Sequence, residues 1–159
     1  MADETSALAK EIRQQRPFRS LGQEAVLGLM RTTDLVRRSI ARILESYEVT
    51  PQQYNVLRIL RGAGEQGLPT LEIGDRMIEQ APGITRLLDR LEAKGLVTRK
   101  RCPEDRRQVL CWLTPAGREL VERLDEPVDQ ADATALDMLS DEEKRELIRL
   151  LDRVRTGLR

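Results

Sequence analysis

The chain contains no histidine and only two cysteines. Those scarcities remove the commonest general base and leave too few soft ligands for a zinc site. There is also no glycine-rich phosphate loop and no nucleophile with a matching base, so the sequence does not read as an enzyme. Aromatic residues make up 3% of the chain, so leucine, isoleucine and valine must fill any interior. No run of about 18 apolar residues occurs, which excludes a membrane-spanning helix. The opening residues, MADETSALAKEIRQQRPF, lack the apolar centre of a secretion signal. Two cysteines without such a signal argue against a disulfide framework. A cytoplasmic chain that needs no cofactor is therefore expected.

Formal net charge is zero, with 27 basic and 27 acidic residues. The charges are not evenly spread. Lys94, Arg99, Lys100, Arg101, Arg106 and Arg107 cluster, opposed only by Glu104 and Asp105, while the C-terminal third is rich in acids. A local basic patch on a neutral chain still attracts phosphate. At 159 residues and 40% hydrophobic content, the chain can form one cored domain with helical extensions.

The organising stretch is 80–117. Ile84, Leu87, Leu88 and Leu91 recur at three- and four-residue intervals, which predicts one buried face of a helix over 82–94, stopped by Gly95. Short β-rich runs over 96–101 and 108–113 flank a polar turn, predicting a basic hairpin. Upstream, Thr50, Pro51 and Gln53 form a capping signal for a second helix, and Leu68 can add a short strand. A helix over 70–77, with Thr70 as its cap, and a turn over 78–81 complete a helix-turn-helix. The hairpin directly after it makes this a winged helix-turn-helix.

On either side lie longer helices. Val26, Leu29, Thr33, Val36, Ile40, Ile43 and Tyr47 mark a heptad-like seam on a helix over 24–47. Thr114 and Pro115 start another helix, which Pro127 is expected to kink. Ser140 and Glu143 open a last one bearing Leu147, Leu150, Leu151, Val154 and Leu158. These apolar faces exceed what a winged helix needs for its own core, and a second copy of the chain is the simplest cover. The predicted organisation is mainly α: an N-terminal arm (1–20), a dimerisation helix (21–49), a winged helix-turn-helix with a short β-hairpin wing (50–113), and C-terminal dimerisation helices (114–159).

Three segments carry a family resemblance: TRLLDRLEAKGLV at 85–97, PEDRR at 103–107 and LTPAG at 113–117. With Asp105 and Arg107 in the wing, followed by Leu113 and Thr114, the chain resembles the MarR family of bacterial transcriptional regulators over 24–159. The resemblance implies a homodimer with interlocked terminal helices, a near-palindromic operator in double-stranded DNA, and repression relieved by a small molecule or oxidant. It also implies a pocket for an aromatic or anionic effector between the long first helix, the second helix and the helix after the wing. Arg31, Arg37 and Tyr54 suit an anionic ligand by residue type, but the sequence does not single them out and the pocket residues stay unassigned. The chain departs from the family pattern at Ile78-Glu79 and at Pro82-Gly83, leaving fewer hydroxyl donors for the DNA groove.

Arg86 is the expected base contact, because a guanidinium pairs bidentately with guanine. The competing reading is a solvated face on which Arg86 pairs with Asp89, or Arg90 with neighbours on the Glu92 side. Arg90 is expected to meet phosphate, as is Thr85. Gly83, with Pro82 beside it on the same face, allows close backbone approach. In the wing, Arg106 and Arg107 are expected at the minor groove or its phosphates, and Asp105 orients a wing arginine or caps the turn. Cys102, next to Arg101 and near Arg106, admits a redox-switched regulator. Cys111 alternates with Val109 and Leu113 and reads as an inward filler, with Trp112 on the opposite face. A winged helix used only for protein contacts is the remaining alternative.

Overall fold

The structure is a computed structural model, and it describes residues 6–80, 83–103, 105 and 107–159. The elements in order are α1 (Ala7–Glu11), α2 (Leu21–Glu45), α3 (Pro51–Ala63), β1 (Leu68–Pro69), α4 (Thr70–Arg76), α5 (Ile84–Ala93), β2 (Val97–Arg101), β3 (Val109–Leu113), α6 (Pro115–Ala135) and α7 (Asp141–Gly157). A single 3₁₀ turn, Gly64–Gln66, links α3 to β1. No helix among the described residues is long and apolar enough to cross a membrane.

Contacts divide the chain into a unit ending at Ser39 and a unit running Ile40–Arg159. In the first, Ser6 caps α1 by accepting from the Ala9 amide. Arg31 of α2 donates to Glu11 at 2.7 Å. Leu21, Val26, Leu29, Met30 and Leu35 of α2 remain exposed.

The second unit holds the main core. Val56, Leu57 and Leu60 of α3, Ile73 of α4, Leu88 and Leu91 of α5, and Val121 and Leu124 of α6 are essentially inaccessible to solvent. Each such aliphatic side chain contributes roughly 1.5–3 kcal/mol of burial energy. Helix α3 is central and touches α4, α5, β3 and α6. Its start explains the one buried polar side chain among the described residues. Gln53 accepts from the Thr50 amide at 3.0 Å while Thr50 accepts from the Gln53 amide at 3.2 Å, so both polar groups are satisfied. On the far side of α3, Arg61 forks onto both carboxylate oxygens of Asp125 in α6, at 2.7 and 2.8 Å.

The sheet has the order β1-β3-β2 and is antiparallel throughout. Val97 pairs with Leu113 and Arg101 with Val109, while Leu68 pairs with Cys111. The strand placed at Leu68 from sequence thus forms, as do the helix-turn-helix and the hairpin. Two local expectations are corrected. Thr70 does not cap α4. Pro69 occupies the cap position without a side-chain bond, and the Thr70 hydroxyl is drawn instead to the Val109 carbonyl at 3.3 Å. The long helix also starts earlier and ends earlier than 24–47, because Ser20 accepts from the Gln23 amide at its start and the backbone turns to positive φ at Glu48.

Helix α6 runs through Pro127 without interruption. Helix α7 opens on the Ser140–Glu143 capping box. It buries none of its residues, and Ile148, Leu150, Val154 and Leu158 stay exposed.

Candidate DNA-binding surface

The outward face of α5 follows from its inward one. Leu87, Leu88 and Leu91 are buried, so Thr85, Arg86 and Arg90 point to solvent. Arg86 and Arg90 are one turn apart and share a side of the helix. Among the described residues neither has an ion-pair partner. The alternative pairing of Arg86 with Asp89 is not formed, because Asp89 is taken by Arg99.

At the start of α5, Gly83 sits in the left-handed region with φ 95°, and no side chain caps the helix. No acidic residue lies in the first turn. The first amides of α5 are therefore turned outward with the positive end of the helix dipole, an arrangement suited to phosphate. Pro82 lies outside the described residues.

Asp105 organises the tip of the wing. Its Oδ1 accepts from the Arg107 amide at 3.0 Å and its Oδ2 from Gln108 Nε2 at 3.3 Å. Its own carbonyl accepts from the Gln108 amide at 2.9 Å, and the Cys102 amide donates to the Gln108 carbonyl at 2.9 Å. Among the described residues the carboxylate holds the Arg107 amide and the Gln108 side chain, and no arginine guanidinium. That leaves the Arg107 guanidinium exposed and, among the described residues, without an ion pair. Lys100 and Arg101 are exposed on β2. Arg106 lies outside the described residues.

Arg99 behaves differently from the rest of the basic cluster. Its Nη2 donates to Asp89 and to Glu92 at 2.6 Å each, and its Nε donates to Glu92 at 3.0 Å. Counting Arg99 as one more phosphate-facing cation misses this bridge from β2 to α5. The available signal was the pair of acids, Asp89 and Glu92, three residues apart on one flank of α5.

Both cysteines are free thiols. Cys111 is buried, with Thr70 Oγ1 3.7 Å from its sulfur, and burial pushes its thiol up from the ordinary value despite that hydrogen bond and nearby Arg99. Cys102 is half-buried at the root of the wing tip. Trp112, on the other face of β3, donates from Nε1 to the Glu65 carbonyl at 3.0 Å.

A cleft of about 440 Å³ opens beside the C-terminal end of α5. Tyr47, Glu48 and Val49 form one wall, Lys94 and Leu96 the second, and Ala116, Glu119, Leu120 and Arg123 of α6 the third. The Arg123 guanidinium lies 5.3 Å from the Tyr47 ring centre, and the Lys94 ammonium donates to the Glu48 carbonyl. Tyr54, which suited a ligand by residue type, does not line it. Tyr54 is instead a buried core residue with Arg58 over its ring at 5.8 Å.

Comparison with known proteins agrees with this geometry. The MarR family model matches residues 49–109. The chain is 31% identical to the HTH-type transcriptional regulator PecS of Dickeya dadantii over 158 residues, 98% of this chain and 95% of PecS. It is 47% identical to a MarR transcription factor from Planctomyces limnophilus whose crystal structure superposes with a TM-score of 0.67, covering 86% of this chain and 98% of that one. It is also similar to S. aureus MepR, solved as a DNA complex, at 26% identity and a TM-score of 0.75, covering 84% of this chain and 96% of that one. With the helix-turn-helix, the three-stranded wing and these likenesses together, the chain belongs to the MarR family of DNA-binding transcriptional regulators, proteins that act on transcription and are not enzymes.

Proposed function

We propose that the protein acts in the cytoplasm as a homodimeric repressor on a pseudo-palindromic operator, and that a small molecule releases it. The observation that carries the DNA-contact assignment is that the outward face of α5, with its N-terminal amides, Thr85, Arg86 and Arg90, and Arg107 on the wing are exposed and, among the described residues, without ion pairs. Arg86 reads a base edge from the major groove, Thr85 and Arg90 hold phosphate, and Gly83 lets backbone come close. Pro82 and Arg106 complete the proposed contact set by their place in the sequence alone. Asp105 shapes the turn that presents Arg107.

Homodimerisation is supported by the uncovered apolar faces of α2 and α7. A two-fold dimer would set two recognition helices about 34 Å apart, one turn of duplex. Effector release is supported by the cleft beside Lys94, since a ligand there would touch the end of the helix that reads DNA. Tyr47 and Arg123 suit an aromatic molecule, and the two cations of the lining are balanced by Glu48 and Glu119.

The test is fluorescence anisotropy of a labelled duplex taken from upstream of the protein's own gene, against a scrambled duplex, at several salt concentrations. Tight binding that prefers the native duplex and weakens steeply with salt supports the proposal. Equal, weak binding to both, followed by no enriched sequence in selection from random DNA, sinks it. Sedimentation of the free protein as a monomer would remove the dimer.

A further inference from the structure

The wing is tied at its base to the residues that follow the recognition helix, and along β2 to the helix itself. At the hairpin's base, the Thr114 hydroxyl donates to the Gly95 carbonyl at 2.6 Å and the Thr114 amide to the Leu96 carbonyl at 3.1 Å. The second tie is Arg99, midway along β2 and opposite Cys111 in the register. Its guanidinium spans Asp89 and Glu92 on adjacent turns of α5, and its side chain is only 20% exposed. A fork that holds two carboxylates at once fixes an angle as well as a distance, which a single point charge does not. The β1 ladder holds β3 from the other side, at Leu68–Cys111 and Pro69–Leu110, so what Arg99 adds is the angle between β2 and the flank of α5.

We propose that Arg99 is a positioning residue for DNA binding, locking the wing against α5 so that Arg86, Arg90 and Arg107 meet one duplex in a single register. This rests on the assignment of those arginines to DNA contact. Arg99 does not touch DNA in this role. It acts through Arg107, which sits beyond the far end of the same strand.

The lock and simple charge attraction predict opposite signs for one variant. Asp89 and Glu92 are 54% and 40% exposed, near the phosphate-facing side of α5. Neutralising them in Asp89→Asn/Glu92→Gln removes two negative charges and would tighten DNA binding if charge alone mattered. If the lock matters, the same variant weakens binding, by about fivefold.

The experiment measures affinity for the operator duplex of the full-length protein in five forms: wild type, Arg99→Gln, Arg107→Ala, Arg99→Gln/Arg107→Ala, and Asp89→Asn/Glu92→Gln. Arg99→Gln is expected to weaken binding about fivefold. Because it acts through Arg107, adding it to Arg107→Ala should cost no more than about a further twofold. Full additivity, with Arg107→Ala itself impaired, overturns the lock while leaving the contact assignment intact. Tighter binding by Asp89→Asn/Glu92→Gln overturns it too. An unchanged Arg107→Ala overturns the wing contact and the lock with it. Should Arg99→Gln fail to fold, Asp89→Asn/Glu92→Gln combined with Arg107→Ala completes the same cycle.

Discussion

Gly117 lies so close to Leu96 that a Cβ on it would fall 2.1 Å from the Leu96 carbonyl oxygen. The first turn of α6 is thereby pressed onto the start of the wing, with no room for a methyl group. Gly117→Ala must push helix and strand apart against a buried core, at a cost of about 1–3 kcal/mol. Urea denaturation should show a lower midpoint with an unchanged slope. A wild-type midpoint would mean that the joint can give.

Arg86 and Arg107 should respond differently to alanine. Arg86→Ala is expected to lose about 1–3 kcal/mol of discrimination at one base position. Arg107→Ala should weaken binding to all duplexes alike and reduce the salt slope by about two units, one for each protomer of the proposed dimer. Binding curves on the operator and on single-base variants, repeated across salt, separate the two. Equal loss on every sequence for Arg86→Ala would demote it to a phosphate contact.

The thiol of Cys111 gives an alkaline signature. Burial raises its pKa above the ordinary 9.0, so the folded state keeps its proton longer than the unfolded state does. Its contribution is complete below about pH 9 and is lost as pH rises through the folded value. Unfolding free energy should therefore fall over that alkaline range, and Cys111→Ala should flatten the fall. In the folded protein an alkylating reagent should label Cys102 and spare Cys111; labelling of both would show that the sheet opens.

Trp112 closes over a glycine. Gly67 has φ 66°, and a Cβ there would lie 2.4 Å from Trp112 Nε1 and 2.8 Å from the Cys111 carbonyl. Gly67→Ala adds backbone strain to the clash. It should cost about 2–4 kcal/mol, and the tryptophan emission should shift to the red as the indole leaves the Glu65 carbonyl. An unshifted spectrum would place the indole elsewhere in solution.

Local features were legible in the sequence for a physical reason. The spacing of Ile84, Leu87, Leu88 and Leu91 states a helix face directly, and the Thr50–Gln53 and Ser140–Glu143 boxes close within three residues. What stayed hidden was set by partners far along the chain. Thr70 was read as a cap, yet its hydroxyl is claimed by Val109, 39 positions on. Arg99 looked like one basic residue among several until α5 supplied its acids. The cleft beside Lys94 is built from three separated segments, so no single stretch announced it. Arg31, Arg37 and Tyr54 suited a ligand by residue type alone.

The strand Leu68–Pro69 precedes the helix-turn-helix, and its partner β3 follows it. The reading helix is therefore enclosed in a ring of chain, clasped where Leu68 meets Cys111. Such a clasp makes assembly concerted, since the loop must close before the pairing is gained and neither side completes its packing alone. The wing tip is exempt from that coupling. The bond from the Cys102 amide to the Gln108 carbonyl pinches it off from the strands below. Residues 103–107 can thus change as a cassette, altering what the wing touches while the clasp, and the helix it encloses, stay as they are.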